Sequence, residues 1–343
     1  MLRVWGVVAL ASWVALAGGP GENRAWAQIL AMPPSTAVEA APPPYDASEI
    51  EPAEVYASPG AAPTLLPGMV YSAAPGGLFA TQLGPGVFER GPWAWELLPA
   101  GLIYRSYLAG GREARIGGQF VHERDQGWLL DATAGGRVGL LRYGTSDPLR
   151  PEGWQVDFEG AAFPRIVLDG TANVMATDYR YGVPLTFRRG ILETKLAYYH
   201  LSSHLADEFI ATHPGAAGNG YARDALVLGA GLWPTQYLRL YAEAGWGFRT
   251  KGPGEPWEFQ FGVDLSPTWA TDWRGTPFFA VNGRIREEVD FGGSLTVQAG
   301  WQWRGRSGQL LRTGFHYFNG KSDQVQFLNQ FEQQIGMGIW YDY

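Results

Sequence analysis

His200, Ser202 and His204 stand two residues apart, the spacing that puts side chains on one face of a β-strand. They close an alternating run in which Leu192, Leu196 and Tyr198 have the same parity. In the next run Asp224 shares parity with Leu226, Leu228 and Leu232. A hairpin centred near His213 sets Ser202 opposite Asp224, with His200 one pair further down, so the three side chains gather on one face. Such a set suits acyl transfer: His200 would take the Ser202 proton, and Asp224 would orient and stabilise the imidazolium. Because the shared face is apolar, a substrate would arrive sideways, from lipid. Two other chemistries fit the same stretch. His200 and His204 suit hydrogen bonding at the headgroup level, where amphipathic rings gather. His204, Asp207 and Glu208 offer nitrogen and oxygen ligands for a divalent cation such as calcium, including one bridging lipopolysaccharide.

The elements that must position these groups are strands. Leu238, Leu240, Ala242, Ala244, Trp246 and Phe248 alternate with Arg239, Tyr241, Glu243, Gly245 and Gly247, and 294–303 repeats the pattern. Segments of about ten residues, apolar on one face and polar on the other with aromatics at their ends, are the signature of a transmembrane β-barrel. The pattern predicts an all-β, antiparallel barrel of about twelve strands, near 113–123, 127–141, 153–163, 174–187, 190–202, 222–232, 237–249, 257–266, 277–286, 291–303, 308–318 and 332–343. Residues 96–108 read as a further strand or a periplasmic lead-in. In the last segment Ile335, Met337, Ile339, Tyr341 and Tyr343 alternate with small or polar residues, and the chain ends on an aromatic. This resembles the signal by which the barrel assembly machinery recognises outer-membrane proteins. A terminal strand ending in the periplasm makes 203–220 and 320–331 extracellular loops.

What precedes the strands looks like an address and a tether. Arg3, an apolar run from Val4 to Ala17, and Ala25-Trp26-Ala27 form a secretory signal over 1–27. Residues 28–75 are rich in Pro, Ala, Ser and Glu, a composition that cannot bury enough apolar area to order itself; they read as a periplasmic linker before a barrel domain over 76–343. The 343 residues contain no Cys, which excludes disulfides and thiolate metal sites. The net charge is −7; removing Arg3, Glu22 and Arg24 with the signal makes it −8, so nucleic acid is a poor partner; the lipid-facing strands instead make outer-membrane lipids and lipopolysaccharide the expected partners.

The inward parity collects Asp131, Asp157, Glu159, Asp178, Glu193, Glu243, Glu258 and Asp264 with Arg137, Arg180, Lys195, Arg239, Arg284, Arg286 and Arg312. A selective channel would favour one sign of charge. Balanced signs predict side chains paired across the lumen, with a small pore as the alternative. His316 points inward beside Arg312, whereas Lys321 and Asp323 read as ordinary loop residues after the Asn319-Gly320 turn.

Two resemblances add to this reading. His-x-Ser on a strand resembles the motif of outer-membrane phospholipase A and of the lipid A 3-O-deacylase, which implies a lipid acyl hydrolase. In those families Asn follows the Ser, where this chain has Ser203, and the third member lies nearer in sequence than Asp224 does to Ser202. Over a longer span, Tyr104 to Gly110, Tyr198 to Phe209 and Phe315 to Ser322 resemble a domain-of-unknown-function family of bacterial outer-membrane proteins, number 1207. That likeness implies an envelope protein and no particular activity.

Overall fold

The structure, a computed structural model, describes residues 92–168, 170 and 172–343. The expected signal peptide, linker and start of the barrel domain over 76–91 lie outside the described residues. Alternation is what builds the described part. Twelve strands follow one another as β2 (Ile116–Glu123), β3 (Gly127–Gly144), β4 (Gly153–Leu168), β5 (Ala172–Arg189), β6 (Leu192–Leu205), β7 (Ala222–Leu232), β8 (Leu238–Lys251), β9 (Trp257–Leu265), β10 (Thr276–Arg286), β11 (Gly292–Arg304), β12 (Leu310–Lys321) and β13 (Phe331–Asp342). Each is antiparallel to the next, and β13 pairs back onto β2 from Gln334↔Glu123 to Tyr341↔Ile116. That last ladder leaves no open edge, which is how a barrel satisfies its backbone where water is absent. Among the described residues no helix is long and apolar enough to cross a membrane.

The wall is apolar outside and charged inside. Val183, Leu196, Leu228, Leu240, Met337 and Ile339 are exposed on the outer surface, while Arg165, Arg239, Arg312, Asp157 and Glu193 are buried within. Trp95, Tyr143, Trp154, Trp301 and Tyr341 ring the end that holds both termini of the described chain; Phe120, Trp128, Tyr181, Trp246 and Trp257 ring the other. Two aromatic girdles around an apolar band are what a hydrocarbon slab with two polar interfaces selects.

Residues 96–108 do something neither expectation foresaw. Only β1 (Ala94–Leu97) is a strand, laid on β3 from Ala94↔Gly144 to Leu97↔Leu141, beyond the end of β2. The chain then turns at Leu98, which has a φ of 51°, and enters the lumen. Gly101 makes the turn possible: at φ 75° a Cβ would lie 2.1 Å from the Pro148 carbonyl oxygen. From Leu102 to Arg115 most side chains are buried inside the barrel, and the chain returns to the wall at Ile116.

Candidate functional site

The segment 98–115 is held by charges that the strands aim inward. Arg142 donates to the Ala100 and Gly101 carbonyls at 2.9 and 2.8 Å, fixing the entry turn. Leu108 is gripped from both sides. Asp264 accepts from its amide at 3.3 Å, and its carbonyl accepts from Arg312 at 3.0 Å and from Arg115 at 2.8 Å. Asp342 of β13 ties those two arginines, at 2.9 Å from Arg312 and 3.2 Å from Arg115. Tyr107 donates to Glu243 at 2.8 Å and stacks on Tyr241 at 3.8 Å, and its hydroxyl lies 2.7 Å from that of Tyr104. Burial pushes the Tyr104 phenol up to about 12, so it stays a neutral partner. Gly229 leaves room for both rings, since a Cβ there would lie 3.0 Å from the Tyr104 hydroxyl. Furthest along, Arg112 pairs with Asp178 at 2.5 Å and gives its carbonyl to Arg180. Buried arginines bonding a plug's backbone carbonyls satisfy both charge and backbone in one contact.

The remaining inward charges pair as their balance predicts. Arg165 spans Asp131 at 2.7 Å and Glu332 at 2.5 Å; Arg137 meets Asp157 at 2.5 Å; Lys195 meets Glu243 at 2.7 Å; Glu258 takes both Arg223 and Arg284. Glu193 lies 2.5 Å from Arg239. His316 is buried beside Gln298, 3.2 Å from its amide nitrogen, and Arg312 donates to that same side chain at 2.9 Å.

At the end away from the termini, the β12–β13 loop folds over the mouth. Val325, with Leu328, packs on Leu201, Tyr221 and Val289. The Val325 amide donates to Asp178, Gln324 to the Phe163 carbonyl, and Gln326 to Ser203. Asp323 is therefore not the ordinary loop residue expected: it turns inward and pairs with Arg284 at 3.0 Å. Burial alone would raise its carboxyl, but Arg284, Arg112 and Arg286 outweigh it and hold it below its ordinary 3.8. With the folded value depressed, the ion pair's contribution is complete above the ordinary value and is lost as pH falls through the folded one. Amide exchange over 322–330, corrected for intrinsic rates, is thus expected to stay slow down to about pH 4 and to accelerate below it. Equal protection at pH 5 and well below pH 3 would refute the tether.

On the outer wall, Tyr198, His200, Ser202 and His204 do share the outward face, while Tyr199, Leu201 and Ser203 are buried inward. The register differs from the expected one. His200, not Ser202, is opposite Asp224, and Ser202 is opposite Ala222. The hairpin is off by one pair because α1 (Asp207–Thr212) takes up part of the connection and shifts its centre. His200 Nδ1 lies 2.8 Å from Asp224 Oδ1, the same oxygen accepts from the Tyr198 hydroxyl at 2.7 Å, and the imidazole stacks on Tyr181 at 5.1 Å. The expected imidazole–carboxylate pair is therefore in place. The nucleophile is not engaged: among the described residues Ser202 makes no side-chain hydrogen bond to His200 or Asp224. Nor do His204, Asp207 and Glu208 meet as metal ligands. Among the described residues no three His, Asp or Glu side chains do, because α1 carries the two acids off along its own exposed first turn.

Comparison with solved structures returns barrels. The KdgM porin in complex with disordered oligogalacturonate is 8% identical, with 66% of this chain and 99% of that one covered and a TM-score of 0.38. The KdgM porin alone gives 10% identity over 66% and 99%, TM-score 0.36, and an OccD1 (OprD) double mutant 10% over 72% and 99%, TM-score 0.28. At such values the likeness says nothing about cargo. No curated protein matches the chain. The sequence itself is more specific. Residues 92–343, which span the wall, the inserted segment and the folded-over loop, match the family DUF1207, described as a protein of unknown function, and the chain belongs to that family.

Proposed function

We propose that the protein is an outer-membrane barrel closed at rest, with its N-terminal linker in the periplasm, serving as a structural or low-permeability element of the envelope. The observation that carries this reading is the segment 98–115 threaded through the lumen and gripped at Leu108 by Asp264, Arg115 and Arg312. The folded-over loop at the far mouth supports it. Lipid and lipopolysaccharide would contact the apolar wall and its outer girdle, and the terminal strand with Tyr343 would engage the assembly machinery. In planar bilayers the purified full-length protein is expected to show little conductance. Stable, frequent ion-conducting openings of the intact chain would favour the small-pore alternative and overturn this one.

The His200–Asp224 pair favours a second reading, an acyl hydrolase acting on outer-leaflet lipid or lipid A. Asp224 holds Nδ1, so Nε2 is the nitrogen that would take the Ser202 proton once substrate brings the two together. Release of fatty acid from lipid vesicles should then vanish in Ser202→Ala and fall by about 10⁴ in Asp224→Asn. No release by the intact protein, or release that survives Ser202→Ala, removes the hydrolase.

A further inference from the structure

Among the described residues, the pairing of lumenal cations thins near the end of the barrel that holds the termini. Four guanidinium groups crowd a single buried indole: the carbons of Arg105, Arg150 and Arg239 lie 5.8 Å from the Trp233 ring centre and that of Arg188 lies 5.3 Å from it. Glu193 is the carboxylate at their centre, and it is already spoken for, by Arg239 at 2.5 Å and by the indole N–H at 2.8 Å. Arg188 reaches it only at 4.0 Å, and neither of its terminal nitrogens has a hydrogen-bond partner although the side chain is 1% exposed. Arg105 spends one terminal nitrogen on the Leu149 carbonyl, while the other is buried and without a partner. Arg304 lines a cavity with Arg105, Arg239 and Trp233, whose wall also carries Asp264 and Asp342, and it bonds only neutral groups, the Pro267 and Gly308 carbonyls and the Ser266 hydroxyl. Among the described residues, no carboxylate oxygen comes nearer than 4.0 Å to Arg105, Arg188 or Arg304.

Such a cluster is costly as it stands, because Arg105, Arg188 and Arg304 lose hydration without gaining a close counter-charge. Burial, then the charges of Arg304 and Arg188, push the Arg105 guanidinium well below its ordinary range. We propose that the arginine cluster at Trp233 is a binding site for a multiply charged oxyanion of the phosphate type, held by Arg105 and Arg188 through their unpartnered nitrogens and by the charge of Arg304. Forked guanidinium donors match the oxygens of a tetrahedral anion, and a dianion restores the balance found elsewhere in the lumen. Arg105 belongs to the inserted segment, so the anion would also link that segment to the wall.

The test uses the full-length protein in detergent, with inorganic phosphate, glycerol phosphate and chloride at matched ionic strength. Calorimetry should show saturable phosphate binding, and thermal unfolding should shift upward with phosphate but not with chloride. Affinity should fall at least about tenfold in Arg188→Gln and in Arg105→Gln, the expected loss of a charged hydrogen bond. Tighter binding of glycerol phosphate than of inorganic phosphate would assign the site to phosphate esters, and the reverse to free phosphate. Equal stabilisation by chloride, absence of saturable binding, or unchanged affinity in the variants would overturn the proposal. If Arg188→Gln fails to fold, the half-buried Arg105→Gln decides the matter alone, with gel mobility before and after heating as the check that the barrel is intact.

Discussion

Replacing residues 99–115 by a flexible linker should convert a closed barrel into a conducting one. Leu97 pairs with Leu141, and Ile116 pairs with Ala134 on the same strand. The linker must therefore run about seven strand residues along the wall, roughly 23 Å, which about eight Gly and Ser residues span when extended. No wall hydrogen bond is lost, because β1 and β2 keep their registers. What goes is the grip on Leu108, the Tyr107 to Glu243 bond and the Tyr107–Tyr241 stack. A barrel of twelve strands is wider than the eight-stranded ones that side chains alone can fill. Conductance in planar bilayers is the readout. The milder Arg312→Ala should show the same trend as intermittent openings. It strips a partner from buried Asp342 and from the Leu108 carbonyl, a change of the kind that costs about 3–5 kcal/mol. Conductance as low in the linker variant as in the parent would mean that something other than this segment closes the lumen.

The wall was legible because a barrel writes itself into sequence at period two. All twelve segments are strands, and the inward charges point inward, since parity alone decides which face each residue takes. The inserted segment was not legible for the same reason. Tyr104 to Gly110 has no alternation, since its side chains pack in every direction inside the lumen, and it resembles a poor strand. Its signal lay in the mismatch: Ile103, Tyr104, Tyr107 and Leu108 are too apolar for a lead-in exposed to water. Asp323 was hidden similarly, because a loop acid looks the same in sequence whether it faces solvent or reaches Arg284. The His200–Asp224 pair needed a register, and register depends on the connection. Parity put both on the outer face, but α1 decided that His200, not Ser202, would stand opposite the acid. Charge counting also had a limit. Balance over the whole lumen concealed the local surplus at Trp233, which only packing reveals.

That surplus makes Glu193→Gln the substitution with the largest expected cost to stability. Glutamine keeps the size of the side chain and an oxygen for the Trp233 N–H, so the change removes charge and little else. Glu193 is fully buried, and Arg239 depends on it at 2.5 Å; the next acid, Asp264, stands 3.6 Å from Arg239. Arg239 in turn donates to the Ser106 carbonyl at 3.3 Å, so the inserted segment loses a tether as well. Leaving a buried charge without its partner costs about 3–5 kcal/mol. Here the cost should sit at the upper end, because Arg188 and Arg105 gain nothing in exchange and their repulsion of Arg239 is no longer offset once the carboxylate is gone. Urea unfolding in detergent, followed by tryptophan fluorescence, measures it. Asp207→Asn on the exposed first turn of α1 is the control, expected within about 0.5 kcal/mol of the parent. The double variant Glu193→Gln with Arg188→Gln should recover part of the loss, since removing one unpartnered cation relieves the others. A cycle of the two should give a coupling energy of about 0.5–3 kcal/mol. Additive costs would mean that Arg188 and Glu193 act independently, and that the charge around Trp233 is not shared.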